Sequence, residues 1–337
     1  MSSGDISSWM PYDPVPALLN SLRRYHRLSP LRSGRGFMKG RTLLASVTAI
    51  LDGAGVGRGV LPHASTGTHL LRHRARTALD ATVYRPLLCL VLQGAKEVGT
   101  SSKTLTVHAG QSLIVSHALP VVSRITLATH DHPYVALVLP LDLELLRSLV
   151  PAVVPAADGP ASDPFSICLS DSDDEMLDAL VRYFGQCERE ASRNLLAPIT
   201  AREIHARLLM GPHGGVLTRL MWHESTASKI FRITQEIGTD PARPIVVSEL
   251  AQRVGMSPSA FFERFKAVTG TSPLQYQKDL RLLRARENLR GASAKVSQIA
   301  FSVGYESSAQ FSREFSRKFG RSPRQDRELL QVAGPGY

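Results

Sequence analysis

Cysteine is scarce: Cys89, Cys168 and Cys187 are the three in 337 residues, odd in number and far apart. They supply neither a disulfide framework nor a C-x-x-C metal knuckle, and this usage fits a reducing cytoplasm, the expected location. No stretch approaches ~18 consecutive apolar residues, so no membrane-spanning helix is expected. The apolar run Thr42 to Leu51 follows Lys39-Gly40-Arg41 but is short, meets Asp52 and lacks a small-residue cleavage site, so it is not read as an export signal. These absences set aside extracellular and membrane roles. Acidic residues are also outnumbered, 29 against 40 Lys and Arg, leaving a net charge of +11 and a pI near 9.9.

Hydrophobic content of 43% and charged content of 20% describe a globular chain, and its length suits two domains. The positive charge is concentrated. Residues 225–337 carry a net +8 and residues 1–41 a net +5, while residues 42–224 carry −2. A basic C-terminal third beside a near-neutral middle is the footprint of a polyanion-binding module attached to something else.

Residues 1–41 are rich in Pro, Ser, Gly and Arg and are read as a disordered basic arm, with Met38 as an alternative start. From about 67 to 140 short strand-like runs recur at the spacing of a small antiparallel barrel or sandwich, among them Leu87 to Leu92, the alternating Lys103 to Val107, Ser112 to Val115, Val121 to Ile125 and Tyr134 to Leu139. Amphipathic helices are expected at 141–150, 173–191 and 199–210, the second as a candidate dimerisation element. Beyond Gly214-Gly215 the pattern is helical to the end.

Two segments of that C-terminal third repeat. Val247 to Gly255 matches Val296 to Gly304 at an offset of 49. Ser257, Phe261, Phe265, Gly270 and Ser272-Pro273 then match Ser307, Phe311, Phe315, Gly320 and Ser322-Pro323 at an offset of 50. The extra residue sits in the second turn, Tyr305-Glu306 against Met256. Each copy reads as a helix-turn-helix: Ser248 or Ser297 caps the first helix, a small Ala permits close crossing, and Gly255 or Gly304 takes a left-handed turn. Ser257 or Ser307 caps the second helix, and the i,i+4 Phe pair faces inward. The intervening residues therefore face out, where second helices enter the DNA major groove.

The C-terminal third resembles the AraC/XylS family of transcriptional regulators. The family's signature is met by Ile299-Ala300, Gly304-Tyr305, Ser307, Phe311, Arg313, Phe315, Gly320 and Ser322-Pro323. Arg324-Gln325-Asp326 departs from the Tyr-Arg pair of many members, and Glu263 stands where the second copy has Arg313. Tyr84 to Gly94, Gly110-Gln111 and Leu119 to Ser123 are similar to the N-terminal domain of one branch. The resemblance implies an α+β protein: an N-terminal cupin-like antiparallel β-barrel with flanking helices over 42–215, which binds an effector or dimerises, and an all-α DNA-binding domain over 225–330. Its parts would be one helix-turn-helix at 247–269, a linker helix at 274–290 and a second motif at 296–319. Double-stranded promoter DNA, a small-molecule effector, a second copy of the chain and RNA polymerase are the implied partners; no cofactor is expected.

Placed in major grooves, the helices would offer Ser259, Phe262, Glu263, Ala309, Ser312 and Arg313 to base edges, Arg313 as a bidentate guanine reader. Ser257, Lys266, Ser307, Arg317, Lys318 and Arg321 would meet phosphates. Phe262 is open to a second reading as core. The alternative function is a metal-dependent cupin enzyme carrying a DNA-targeting module, for which His130-Asp131-His132 is the candidate ligand pair. No third donor follows at suitable spacing, so a solvated loop is expected there. Gly53 to Gly59 lacks the Lys-Ser/Thr ending of a phosphate loop and is read as a flexible connector. Cys89, with no basic neighbour but Arg85 in sequence, is read as an inert core thiol. The run Asp171 to Glu175 is a helix N-terminus.

Overall fold

A computed structural model describes residues 34–100, 103–152, 167–221, 226–291 and 294–333. The chain opens with α1 (Gly34–Gly53), which starts inside the segment expected to be a disordered arm; the rest of that segment lies outside the described residues. Then come β1 (Gly59–His63), β2 (Thr68–His73), β3 (Asp80–Tyr84), β4 (Leu87–Gln93), β5 (Ala95–Gly99), β6 (Thr104–His108), β7 (Gln111–Val115), β8 (Leu119–Leu127) and β9 (Tyr134–Pro140). After α2 (Leu143–Leu149) and β10 (Ile167–Asp171) follow α3 (Asp174–Cys187), α4 (Glu190–Leu195), α5 (Ala197–Met210) and α6 (Gly214–Met221). The expected barrel is not closed. The strands form two open antiparallel sheets, ordered β1-β2-β9-β4-β7-β10 and β3-β8-β5-β6.

The unbroken apolar run of β4 has a simple cause: both of its faces are covered. Leu88 and Leu90 join Leu43, Val47 and Leu180 in a core beneath α1, α3 and α5. Leu87, Cys89 and Val91 join Val98, Val121 and Tyr134 between the two sheets. β9 divides in the same way, Leu137 to the helices and Ala136 to the opposite sheet. The helix expected at 173–191 breaks after Cys187, and its apolar face (Met176, Leu177, Leu180, Phe184) is consumed in this internal core. It is therefore not available as a dimer surface. The connector after α1 is also held rather than loose, since Arg72, 3% exposed, donates to the Val56 carbonyl at 2.8 Å and to Asp52 at 2.5 Å.

The C-terminal part is wholly helical: α7 (Thr226–Thr239), α8 (Val247–Arg253), α9 (Pro258–Thr269), α10 (Pro273–Gly291), α11 (Val296–Ser302), α12 (Ser308–Phe319) and α13 (Pro323–Ala333). Two cores flank α10. Tyr276 and Leu280 pack with Ile230, Leu250, Phe261 and Phe265, and Leu283 and Leu289 pack with Ile299, Phe311, Phe315 and Phe319. No helix among the described residues is long and apolar enough to cross a membrane.

Gly255 and Gly304 both take positive φ, 69° and 88°, as the repeat predicts, but their surroundings differ. A Cβ on Gly255 would meet nothing within 4 Å, whereas one on Gly304 would lie 2.5 Å from the Ala242 carbonyl oxygen. Gly255→Ala should therefore cost about 1–2 kcal/mol, the left-handed backbone alone. Gly304→Ala should cost distinctly more, because two backbones must also separate. Urea midpoints of the two variants check this, and equal losses would contradict it.

Candidate nucleic-acid interface

Each recognition helix is fixed at both ends by its own sequence. The Ser257 hydroxyl accepts from the Ala260 N–H, and that of Ser307 from the Gln310 N–H, each at 3.3 Å. Gly270 and Gly320 close the helices in the left-handed conformation, at φ 78° and 72°. Ser272 and Ser322 then cap the helices that follow, accepting from Gln275 and Gln325. The first helices are capped differently from expectation. Ser248 and Ser297 lie inside α8 and α11, the N-cap positions being Val246 and Lys295. In the second motif Gln298 supplies the acceptor instead, taking the Lys295 N–H at 2.9 Å.

The Phe pairs hold the reading faces outward. Phe261, Phe265, Phe311 and Phe315 are all 0% exposed, each contributing roughly 1.5–3 kcal/mol by burial. The ring centroids lie 5.6 Å apart in the first pair and 5.4 Å in the second. Tyr305, the residue inserted in the second turn, stacks edge-on against Phe311 and donates its hydroxyl to Glu314 at 2.8 Å.

On α9, Ser259, Phe262, Glu263 and Lys266 are exposed. Phe262 is 44% exposed, which settles its two readings against a core role. On α12, Ala309, Arg313 and Arg317 are exposed and Ser312 is half-buried, its hydroxyl donating back to the Ser308 carbonyl. Arg313 and Arg317 make no ion pair with a described residue. Arg264, exposed beside Glu263, is a further cation on the same helix. The repeat does not reveal it, since its counterpart in the second motif is the acidic Glu314.

Two of the expected phosphate contacts, Lys318 and Arg321, are engaged with acids of the chain itself. Lys318 turns inward onto Asp279 on α10, 2.6 Å away with both side chains 7% exposed. Burial lowers its pKa, opposed by the Asp279 carboxylate. Arg321 pairs at 3.2 Å with Asp326, a carboxylate 1% exposed, and lines the cleft toward the sheets rather than the surface of α12. The atypical Asp326 is the centre of a buried cluster: Arg286 donates to it at 2.8 Å and to Asp80 on β3 at 2.5 Å, while stacking over Phe319.

The remaining constellations resolve simply. His130 and Asp131 are solvated, at 82% and 89% exposure, and no group of three or more His, Cys, Asp or Glu among the described residues could hold a metal ion. Cys89 does have a basic neighbour: Lys96 of β5 places its Nζ 3.1 Å from the sulfur.

Two helix-turn-helix motifs on one rod, joined to a two-sheet domain, define a DNA-binding module attached to a separate β domain. Residues 64–216 match the family described as AraC-type transcriptional regulator N-terminus, and residues 250–328 match a helix-turn-helix domain. The chain belongs to the AraC/XylS family of transcriptional regulators. Among its relatives, the regulator CdhR of Pseudomonas aeruginosa is 30% identical over 164 residues, 48% of this chain and 46% of the relative. The activator RhaS of Escherichia coli is 29% identical over 154 residues, 45% of this chain and 55% of the relative. The chain thus spans about half the length of these curated relatives. Among solved structures, ToxT of Vibrio cholerae superposes with a TM-score of 0.52 at 12% identity, covering 77% of this chain and 97% of that one. At that identity the likeness extends to the fold alone.

Proposed function

We propose that this chain binds promoter DNA sequence-specifically and regulates transcription, with its two-sheet domain answering to a small-molecule effector. One observation carries the reading: α9 and α12 present equivalent faces that are capped, exposed and backed by buried Phe pairs, with Arg313 and Arg317 uncommitted on the second. Arg313 reads a guanine edge, Ser259, Phe262, Glu263, Ala309 and Ser312 lie against neighbouring bases, and Lys266 and Arg317 neutralise phosphates beside the capping residues Ser257 and Ser307. A second copy and RNA polymerase complete the set of partners; exposed Leu195 and Ile199, at 71% and 65%, offer the second copy an apolar surface.

Arg313→Ala should weaken binding to the cognate site by about 1–3 kcal/mol and blur preference at one base position. Arg317→Ala should weaken all sequences alike and flatten the salt dependence. Fluorescence anisotropy on a footprinted genomic site and on random duplex, each at several salt concentrations, separates the two. Equal loss on both duplexes for Arg313→Ala would remove it from base reading.

A further inference from the structure

β4 and β5 are consecutive strands that belong to different sheets, and the chain turns between them at Gly94. Gly94 takes φ 80°, and a Cβ there would collide with the Leu127 carbonyl. The fixed corner folds Lys96 back over Cys89. Along β5, Lys96 points the same way as Val98, into the inter-sheet core, and is 4% exposed. Its neighbour Glu97 faces the other way, paired with Arg124 at 2.7 Å. The Lys96 Nζ lies 3.1 Å from the Cys89 sulfur and 3.4 Å from the Tyr84 hydroxyl. The Tyr134 hydroxyl, closed to solvent, engages the same sulfur.

An amine and a thiol thus touch inside an apolar wall. As packing alone the contact is unfavourable, since a hydrocarbon pair of the same volume would leave no charge to desolvate. Burial works against the Lys96 charge, but Cys89, Tyr134 and Tyr84 outweigh it and keep the ammonium protonated. A cation beside a cysteine sulfur is the setting that favours its oxidation. Both residues border a cleft of about 690 Å³ that opens along the sheets. The sulfur sits within its wall, fully buried, so side-chain movement admits an oxidant little larger than water.

We infer that Cys89 and Lys96 form a modification site, at which hydrogen peroxide joins Sγ to Nζ by a covalent bond that staples one sheet to the other. In the first step Sγ attacks a peroxide oxygen and the O–O bond breaks. The sulfur is oxidised to a sulfenic acid, and its former proton leaves on the other oxygen as water. Oxidation takes away one of the groups that keep Lys96 charged, and burial then drives its extra proton out to the cleft. The neutral amine attacks the sulfenic sulfur in the second step. An S–N bond forms, the S–O bond breaks, and the oxygen departs as water with one amine proton. The product has no buried cation, and its new bond spans the corner at Gly94. This chemistry is independent of what the helical domain binds.

The test is peptide mapping of the full native chain, reduced and then exposed to hydrogen peroxide. Remaining thiols are alkylated in denaturant before digestion with trypsin. Trypsin cuts after Arg76, Lys96 and Lys103, Pro86 shielding the bond after Arg85. Lys96 should now resist cleavage, leaving the peptide 77–103 lighter by two hydrogen atoms. Dithiothreitol should restore both the cut and the Cys89 thiol. Lys96→Arg keeps a cation but has no nucleophilic amine, so the link should vanish and Cys89 should carry on to the sulfinic acid. A chain with Cys168→Ser and Cys187→Ser should keep the link. The inference is overturned if peroxide leaves Cys89 alkylatable in the native chain, if Cys89 gains oxygen while Lys96 is still cut, or if Lys96→Arg forms the same link. The native chain decides by itself, whichever variants fold.

Discussion

Arg286→Ala should lower the stability of the folded chain by about 3–5 kcal/mol. The guanidinium is 7% exposed as a residue and satisfies two carboxylates at once, Asp326 inside the helical domain and Asp80 on the edge of the β domain, with the Ala81 carbonyl accepting a further bond at 3.1 Å. Removing it strands Asp326, which is 1% exposed and keeps just the partly solvated Arg321. A buried carboxylate left short of its partner costs far more than an exposed pair of the same length, because water cannot replace what is lost. The urea midpoint of the first unfolding transition reads the effect. Hydrogen exchange should rise together in β3 and α13, the two elements that Arg286 ties. An unchanged midpoint would show the cluster to be energetically neutral.

Acid should loosen the same junction from its other side. His117 is 0% exposed, shares its Nδ1 with the Ser116 hydroxyl at 3.1 Å, and packs against the rings of Phe231 on α7 and Tyr276 on α10. Tyr276 in turn donates its hydroxyl to the Ala118 carbonyl. Burial pushes the His117 pKa down from 6.5 to about 3. In the unfolded chain the ring takes up a proton below about 6.5 while the folded chain refuses it, so stability falls as pH drops through that window. The loss attributable to His117 should reach roughly 3 kcal/mol by about pH 4. His213, held near 4 by burial beside Ser112, should add to it. His117→Phe should flatten the urea midpoint between pH 6.5 and 4; an unaltered slope would assign the acid sensitivity elsewhere.

Both clusters lie at the domain junction, and neither was legible in the sequence. The repeat was, because its determinants are local. A serine cap, a left-handed glycine and an i,i+4 Phe pair each act within a few residues, and two copies of the same combination disclose a common fold. Lys318 could have been placed with the same tools: it falls seven residues after Phe311 and three after Phe315, on the buried stripe of α12. Its charge argues for a solvent-facing position, against that stripe. The sheets were legible as strands but not as two open layers, since strand order depends on pairings such as β2 with β9 that lie some 65 residues apart. The meeting of Lys96 with Cys89 is likewise a product of how β4 and β5 lie in separate facing layers. Asp326 looked like a lapse from the family pattern, yet its carboxylate is what holds Arg286.

A single rod, α10, forms one wall of both helix-turn-helix cores and also lies against β3 and β8. Arg281, midway along it, reaches the Pro241 and Ala242 carbonyls at 2.7 and 2.8 Å and that of Gly304 at 2.9 Å, tying the approach to one motif to the turn of the other. Under the proposed reading this makes the protein a fixed ruler on its operator. The two half-contacts, about 10–10.5 base pairs apart, keep one phase, and any push from the β domain moves them as a pair.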